Sequence, residues 1–198
     1  MGRIVVTEFL TVDGVMESPQ RWVPSFWSNE TNAYKLDELH SHDAQLLGRA
    51  TYESFAASWP QRSDPDGFAD RMNGMAKYVV SSTLTKPQWN NSSVIDGNLV
   101  AAIAKLRALP GRGILVAGSA SLVNFLLQND LADEYRLMIF PIVAGSGKRL
   151  FRNAHSQRTL ELKETRSLPH GVTVLTYVPA ASEPGGEFPA HFALDREA

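Results

Sequence analysis

Residues 114–151 read ILVAGSASLVNFLLQNDLADEYRLMIFPIVAGSGKRLF, and this stretch decides the fold. A short apolar run, Ile114-Leu115-Val116-Ala117, reaches Gly118, and the small residues Ser119-Ala120-Ser121 then open an apolar-periodic helix. A strand, a tight turn and a helix in that order aim the first helical N–H groups out of a sheet edge. Unpaired donors and the positive end of the helix dipole make such a place attractive to phosphate. The same geometry is expected upstream, where Gln45-Leu46-Leu47-Gly48 precedes Arg49-Ala50-Thr51-Tyr52-Glu53. Two such anion sites in one small α/β domain suggest a ligand with a long phosphate-bearing body, such as a dinucleotide.

The composition narrows the alternatives. The 198 residues fit one domain with an appended tail, and 43% hydrophobic content is enough to bury an ordinary core. A net charge of −2 gives no global basic field for nucleic acid. The absence of cysteine excludes disulfides, thiolate catalysis and cysteine-ligated zinc. Of five histidines only His40 and His42 are close in sequence, and residues two apart do not share a helix face, so no metal site is expected. No apolar run is long enough for a membrane span, and the first residues, MGRIVVTEFL, read as a strand without signal-peptide character. The expectation is a cytoplasmic protein, in which the sequons at Asn29, Asn90 and Asn91 are chance matches.

Hydrophobic periodicity predicts strands at 4–10, 44–47, 77–81, 93–95, 113–117, 134–142 (bent by Pro141), 158–167 and 172–178. Helices are predicted near 29–40, 51–58, 68–75, 99–109 and 121–128, with an irregular loop over 15–28. Leu168-Pro169-His170-Gly171 reads as a hairpin turn. Strand–helix alternation followed by consecutive strands implies an α/β domain with a mixed, mostly parallel sheet, antiparallel C-terminal strands and helices on both faces. Residues 179–198 have loop composition. They pack on their own subunit or, through Phe188 and Phe192, on a partner.

Five motifs in order carry a family resemblance: Thr11-Val12-Asp13-Gly14, Leu47-Gly48-Arg49-Ala50-Thr51-Tyr52-Glu53, Val79-Val80-Ser81-Ser82-Thr83-Leu84, Gly118-Ser119-Ala120-Ser121-Leu122, and the run PIVAGSGKRLF at 141–151. Over residues 3–178 the chain resembles the dihydrofolate reductase-like superfamily. It is most similar to the C-terminal reductase domain of bifunctional riboflavin-biosynthesis deaminase/reductases and its stand-alone bacterial relatives. The resemblance implies a three-layer α/β/α reductase domain over 1–178, NADPH as cofactor, a homodimer, and no zinc deaminase half.

The resemblance also assigns residues. Gly48, Arg49, Ala50 and Thr51 would cradle the NADPH pyrophosphate, with Thr51 capping its helix; alternatively Arg49 pairs with a surface carboxylate. Ser81, Ser82 and Thr83, with Lys86 adding charge, would hold the 2′-phosphate. Gly118, Ser119, Ala120, Ser121 and Leu122 would form the second phosphate loop. Relatives carry a Gly-Gly pair where this chain is read as having Ala117-Gly118, and the isomer of that peptide stays open. Asp13 is the catalytic candidate, positioning substrate or relaying a proton; Asp13, Gly14, Trp22, Glu30 and Lys148 are substrate-binding candidates. The pterin-binding carboxylate of dihydrofolate reductases has no counterpart, Trp27 lying at the nearest position with Glu30 a turn further on. Gly145-Ser146-Gly147-Lys148 fails as a P-loop, because Ile142 stands at its first glycine and Arg149 at its Mg²⁺-binding hydroxyl. The expected function is hydride transfer to a small nitrogen heterocycle, of the 5-amino-6-(5-phosphoribosylamino)uracil kind. The alternatives are dihydrofolate reduction, or nucleotide binding without efficient turnover.

Overall fold

The computed structural model describes residues 2–151 and 157–181 of the chain. The expected docking of Phe188 and Phe192 therefore lies outside the described residues. Strand β1 (Arg3–Thr11) is followed by two short 3-10 turns, Pro19–Arg21 and Val23–Phe26, where the sequence reads as loop. Helix α1 (Asn29–His40) leads to β2 (Ala44–Gly48), α2 (Arg49–Ser58), α3 (Phe68–Gly74), β3 (Ala76–Val80) and β4 (Ser92–Ile95). Then come α4 (Leu99–Ala108), β5 (Gly113–Val116), α5 (Ala120–Gln128), β6 (Glu134–Phe140), β7 (Leu160–Ser167) and β8 (Thr173–Pro179).

Two boundaries differ from expectation for physical reasons. Helix α2 begins at Arg49 rather than Thr51, because Gly48, the last residue of β2, is itself the N-cap; Thr51 is inside the helix and does not cap it. Strand β6 stops at Phe140 instead of bending through Pro141, since proline has no N–H for the ladder.

The eight strands lie in the order β4-β3-β2-β5-β1-β6-β8-β7. Neighbours from β4 to β6 are parallel, and β8 runs antiparallel to both β6 and β7. All five residues of β2 are buried, as an inner strand covered on both faces requires. One face carries α4 and α5, where Ile103, Leu122, Val123 and Leu126 pack on Ile4, Val6, Ile114 and Val116. The other carries α1 to α3, with Leu39, Tyr52 and Met72 on Val5, Leu47 and Leu115. The β3–β4 connection has no helix and seals this face with Trp89. The Trp89 backbone N–H donates to Tyr52 Oη at 2.9 Å and its indole N–H to Asn73 Oδ1 at 2.7 Å. A third cluster joins Trp22, Val23, Met138, Phe140 and Val174.

A charged network is buried between α1 and the sheet. Glu38 accepts from the Lys35 ammonium, from Thr7 Oγ1 at 3.0 Å and from Arg136 at 3.4 Å, while Arg136 Nε donates to Glu134 at 2.6 Å. Removing one member of such a set leaves buried charge without its partner. Glu38→Ala is therefore expected to lower the unfolding free energy by about 3–5 kcal/mol in urea denaturation. A loss under about 1 kcal/mol would show that the network contributes no more than a surface pair.

Candidate active site

Because six neighbouring strands are parallel, their C-terminal ends share one edge. The turns after β1 (Asp13), β2 (Gly48), β3 (Ser81), β5 (Gly118) and β6 (Pro141) all open there. Strand β5 sends its connection to the α4/α5 face, whereas its neighbours β1 and β2 send theirs to the α1–α3 face. Ligand crevices in α/β sheets form where neighbouring connections diverge in this way.

The two predicted phosphate turns meet at that point. The Gly48 N–H donates to the Gly118 carbonyl at 3.2 Å. A Cβ on Gly48 would fall 2.4 Å from Ser119 Oγ, and one on Gly118, whose φ is +83°, would fall 2.7 Å from Thr51 Oγ1. Only glycine at both positions lets the turns approach so closely. The Gly118–Ser119 peptide is cis, one residue beyond the Ala117–Gly118 bond considered from the sequence.

Helix starts elsewhere are covered by side chains. Ser28 caps α1 and Asn98 caps α4, while Asp64 accepts from the Phe68 and Ala69 N–H groups at the start of α3. Helices α2 and α5 have no side-chain cap. Among the described residues, the two helices that open onto the same crevice are thus the two whose first donors have no side-chain partner, and Arg49, Ala50 and Ser121 stand exposed there. Arg49 pairs with Glu53 at 3.5 Å, a contact between two half-exposed side chains that an incoming phosphate can replace at little cost. Along the same edge, Ser81 Oγ accepts from the Thr83 and Leu84 N–H groups at 3.2 and 2.9 Å, leaving Ser82 and Thr83 exposed.

Asp13 has a different environment from the one a proton relay needs. Its carboxylate accepts from Thr11 Oγ1 at 2.6 Å, from the Ala144 and Gly145 N–H groups at 3.0 Å each, and from Arg149 at 3.3 Å. The Thr11 hydroxyl and then the Ala144 N–H hold its pKa down to about 2. With Arg149 Nε on the Asp13 carbonyl and the Leu150 N–H on the Gly14 carbonyl, this acid pins the glycine-rich loop over the site. Lys148 is exposed on that loop, its carbonyl accepting from the Met16 N–H. Trp22 belongs to the core, its ring 5.3 Å from Phe140 and its residue 8% exposed, which rules out a free stacking face. Glu30 is exposed in the first turn of α1 and Trp27 precedes that helix, edge-on to Phe9.

Sequence reasoning missed two groups. Lys35 sits 2.8 Å from Thr7 Oγ1 and 5.1 Å from the Phe9 ring centre, on the α1 side of β1. Glu8 is buried on the opposite side of the same strand, with the Gly118 N–H near its carboxyl. Burial pushes the Glu8 carboxyl up to about 8, against the opposing effects of the Gly118 N–H and of Lys35. The available signal was a glutamate inside the apolar run IVVTEFL, where an acid is rarely fully buried.

The family model of the RibD C-terminal domain matches residues 3–174, and the chain belongs to that family. It is 30% identical over 178 residues to the uncharacterized protein YyaP of Bacillus subtilis (strain 168), covering 88% of this chain and 94% of YyaP. Among solved structures, a protein of Shewanella sp. PV-4 assigned to riboflavin biosynthesis superposes with a TM-score of 0.73 at 22% identity, over 90% of this chain and 99% of its own. The dihydrofolate reductase of Enterococcus faecalis complexed with NADP(H) superposes with a TM-score of 0.58 at 14% identity, over 90% of this chain and 96% of its own. The fold is thus dihydrofolate reductase-like.

The raised Glu8 pKa has a consequence for stability. Between its ordinary value of 4.5 and about 8, the folded chain keeps a proton that the unfolded chain releases. That contribution is fully present below about pH 4.5 and is lost as pH rises through about 8. The slope of melting temperature against pH across this window is expected to flatten in Glu8→Gln. Parallel slopes for the two proteins would contradict the assignment.

Proposed function

We propose that the chain is an NADPH-dependent reductase acting on a small nitrogen heterocycle, of the ribosylaminopyrimidine phosphate kind. The observation that carries this reading is the pair of helix openings without side-chain caps, locked together through Gly48 and Gly118. Membership in the RibD C-terminal family supports an oxidoreductase, and the Enterococcus neighbour's complex with NADP(H) supports a nicotinamide coenzyme. The chemistry of the crevice fits such a group: backbone donors of 49–51 and 120–122 suit the diphosphate, and the Ser82 and Thr83 hydroxyls suit the 2′-phosphate. When bound, NADPH supplies a hydride to an electron-poor carbon.

The chain's own tasks are binding, orientation and exclusion of water. Gly48 and Gly118 admit the coenzyme close to the backbone. Phe9, Phe26, Trp27 and Phe140 form an apolar wall between α1 and the sheet. The inward-facing acid of α1, Glu38, is already engaged by Lys35, Thr7 and Arg136, so it has no free oxygen pair for a protonated pterin. Exposed Lys148 can meet a substrate phosphate. Both features rank an anionic, carbonyl-bearing pyrimidine above dihydrofolate.

A second reading, nucleotide binding without efficient turnover, is favoured by one observation: both carboxylate oxygens of Asp13 are already engaged, by Thr11 Oγ1, the Ala144 and Gly145 N–H groups and Arg149, so this acid serves the loop. Turnover separates the two. Intrinsic fluorescence is expected to report NADPH binding, with Gly48→Val, checked for folding by circular dichroism, weakening it by at least about tenfold, or about 1.4 kcal/mol. Oxidation of NADPH on addition of a ribosylaminopyrimidine phosphate supports the reductase. Binding with no turnover over a broad substrate panel supports the second reading, and absence of binding at millimolar NADPH rejects both.

A further inference from the structure

The β1 strand carries one acid on its α5 face, and it stands at the level of the two helix openings. Glu8 alternates with Val6 and Leu10, which pack on that face, and pairs across the sheet with Leu137 of β6. The residue is 7% exposed. Its Oε1 is buried without a hydrogen-bond partner among the described residues, and the Gly118 N–H lies on the carboxyl's side of the sheet, where it favours the charged form. Gly118 is also the residue whose carbonyl binds the Gly48 N–H and whose Cα faces Thr51. An acid here therefore touches the hinge between both anion-gathering turns.

An ionised Glu8 would conflict with that place twice. A buried carboxylate with one unpaired oxygen is costly. It would also repel any phosphate drawn to the adjoining helix starts, through a medium that screens poorly. A neutral acid meets neither difficulty: its carbonyl oxygen can face the Gly118 N–H, and its hydroxyl adds a donor.

We propose that Glu8 is a positioning residue for the coenzyme turn: as a neutral acid it holds the Gly118 N–H and keeps competing charge away from the helix openings, so that coenzyme binding is linked to proton uptake at Glu8. This rests on the coenzyme reading above. The surroundings isolate the titration. From α1, Lys35 acts on Glu8 and is itself paired with Glu38. Residues 113–128, which form β5 and α5, contain no charged side chain. On β6, Glu134 and Arg136 are in register with Val5 and Thr7 and so face the α1 side, while Tyr135, in register with Val6, shares the face of Glu8 but stays neutral because burial raises its pKa. On α2, Arg49 pairs with Glu53, and above the site Arg149 pairs with Asp13. The carboxyl's pKa, pushed up to about 8, puts its ionisation within an accessible range.

Calorimetric titration of the whole protein with NADPH at about pH 8.5, in two buffers of different ionisation enthalpy, is expected to show uptake of about 0.3–0.8 proton per NADPH. The coenzyme's own 2′-phosphate, with a second pKa near 6, contributes none at that pH. The dissociation constant is expected to rise about tenfold or more between about pH 7.5 and 9.5. In Glu8→Gln the uptake disappears and the constant stays flat over the same window. Should that variant fail to fold, the wild-type proton count carries the test alone. NADPH binding without proton uptake, or uptake undiminished in Glu8→Gln, overturns the role of Glu8 while the coenzyme reading stands. Wild-type protein that binds no NADPH at millimolar concentration removes both.

Discussion

The whole site depends on how closely two chain turns can approach. Strands β2 and β5 are neighbours, β2 running straight into α2 and β5 reaching α5 through Ala117, Gly118 and Ser119, so their turns meet at Gly48 and Gly118 with no room for a side chain on either. Close approach sets two sets of backbone N–H groups beside one crevice. It works only because the rest of the sheet holds the register: Ala44–Leu46 against Ile114–Val116, with β1 on the far side of β5. The fold's large apolar layers, one under α4 and α5 and one under α1 to α3, fix that register from both faces.

Two acids on β1 and its following turn show how environment divides similar chemistry. Asp13, at the rim, is surrounded by donors and stays ionised, pinning the 144–150 loop. Glu8, only five residues earlier, is buried with little to stabilise a charge and holds its proton near neutrality. The ionised acid builds structure, and the neutral one sits beside the place where negative charge from a ligand is expected. Sequence proximity says nothing of this difference; hydrogen-bond supply and burial decide it.

The order of strands and helices was legible because periodicity is clean in short, apolar elements such as ILVAG and LVNFLL. So were the two glycine turns, since a glycine between an apolar run and small residues has few other uses. What stayed hidden depends on contacts distant in sequence. Asp13 reads as a catalytic candidate until Ala144 and Gly145 are seen to donate to it. Glu8 interrupts the apolar run IVVTEFL, and only the packing of α5 on that face shows that its carboxyl is buried. Lys35 and Glu38 have helix-surface spacing, and only Thr7 and Arg136 from the sheet reveal that they are buried. The start of α2 at Arg49 was missed because the N-cap is glycine, which supplies no side-chain signal.

The central claim is that the amides opening α2 and α5 together hold one phosphate-bearing coenzyme. Backbone amide shifts followed by NMR during an NADPH titration test it most directly. The account predicts that the N–H resonances of Arg49, Ala50 and Thr51 and of Ala120, Ser121 and Leu122 move together on a single binding curve. Saturable binding that leaves either group of amides unmoved would contradict it.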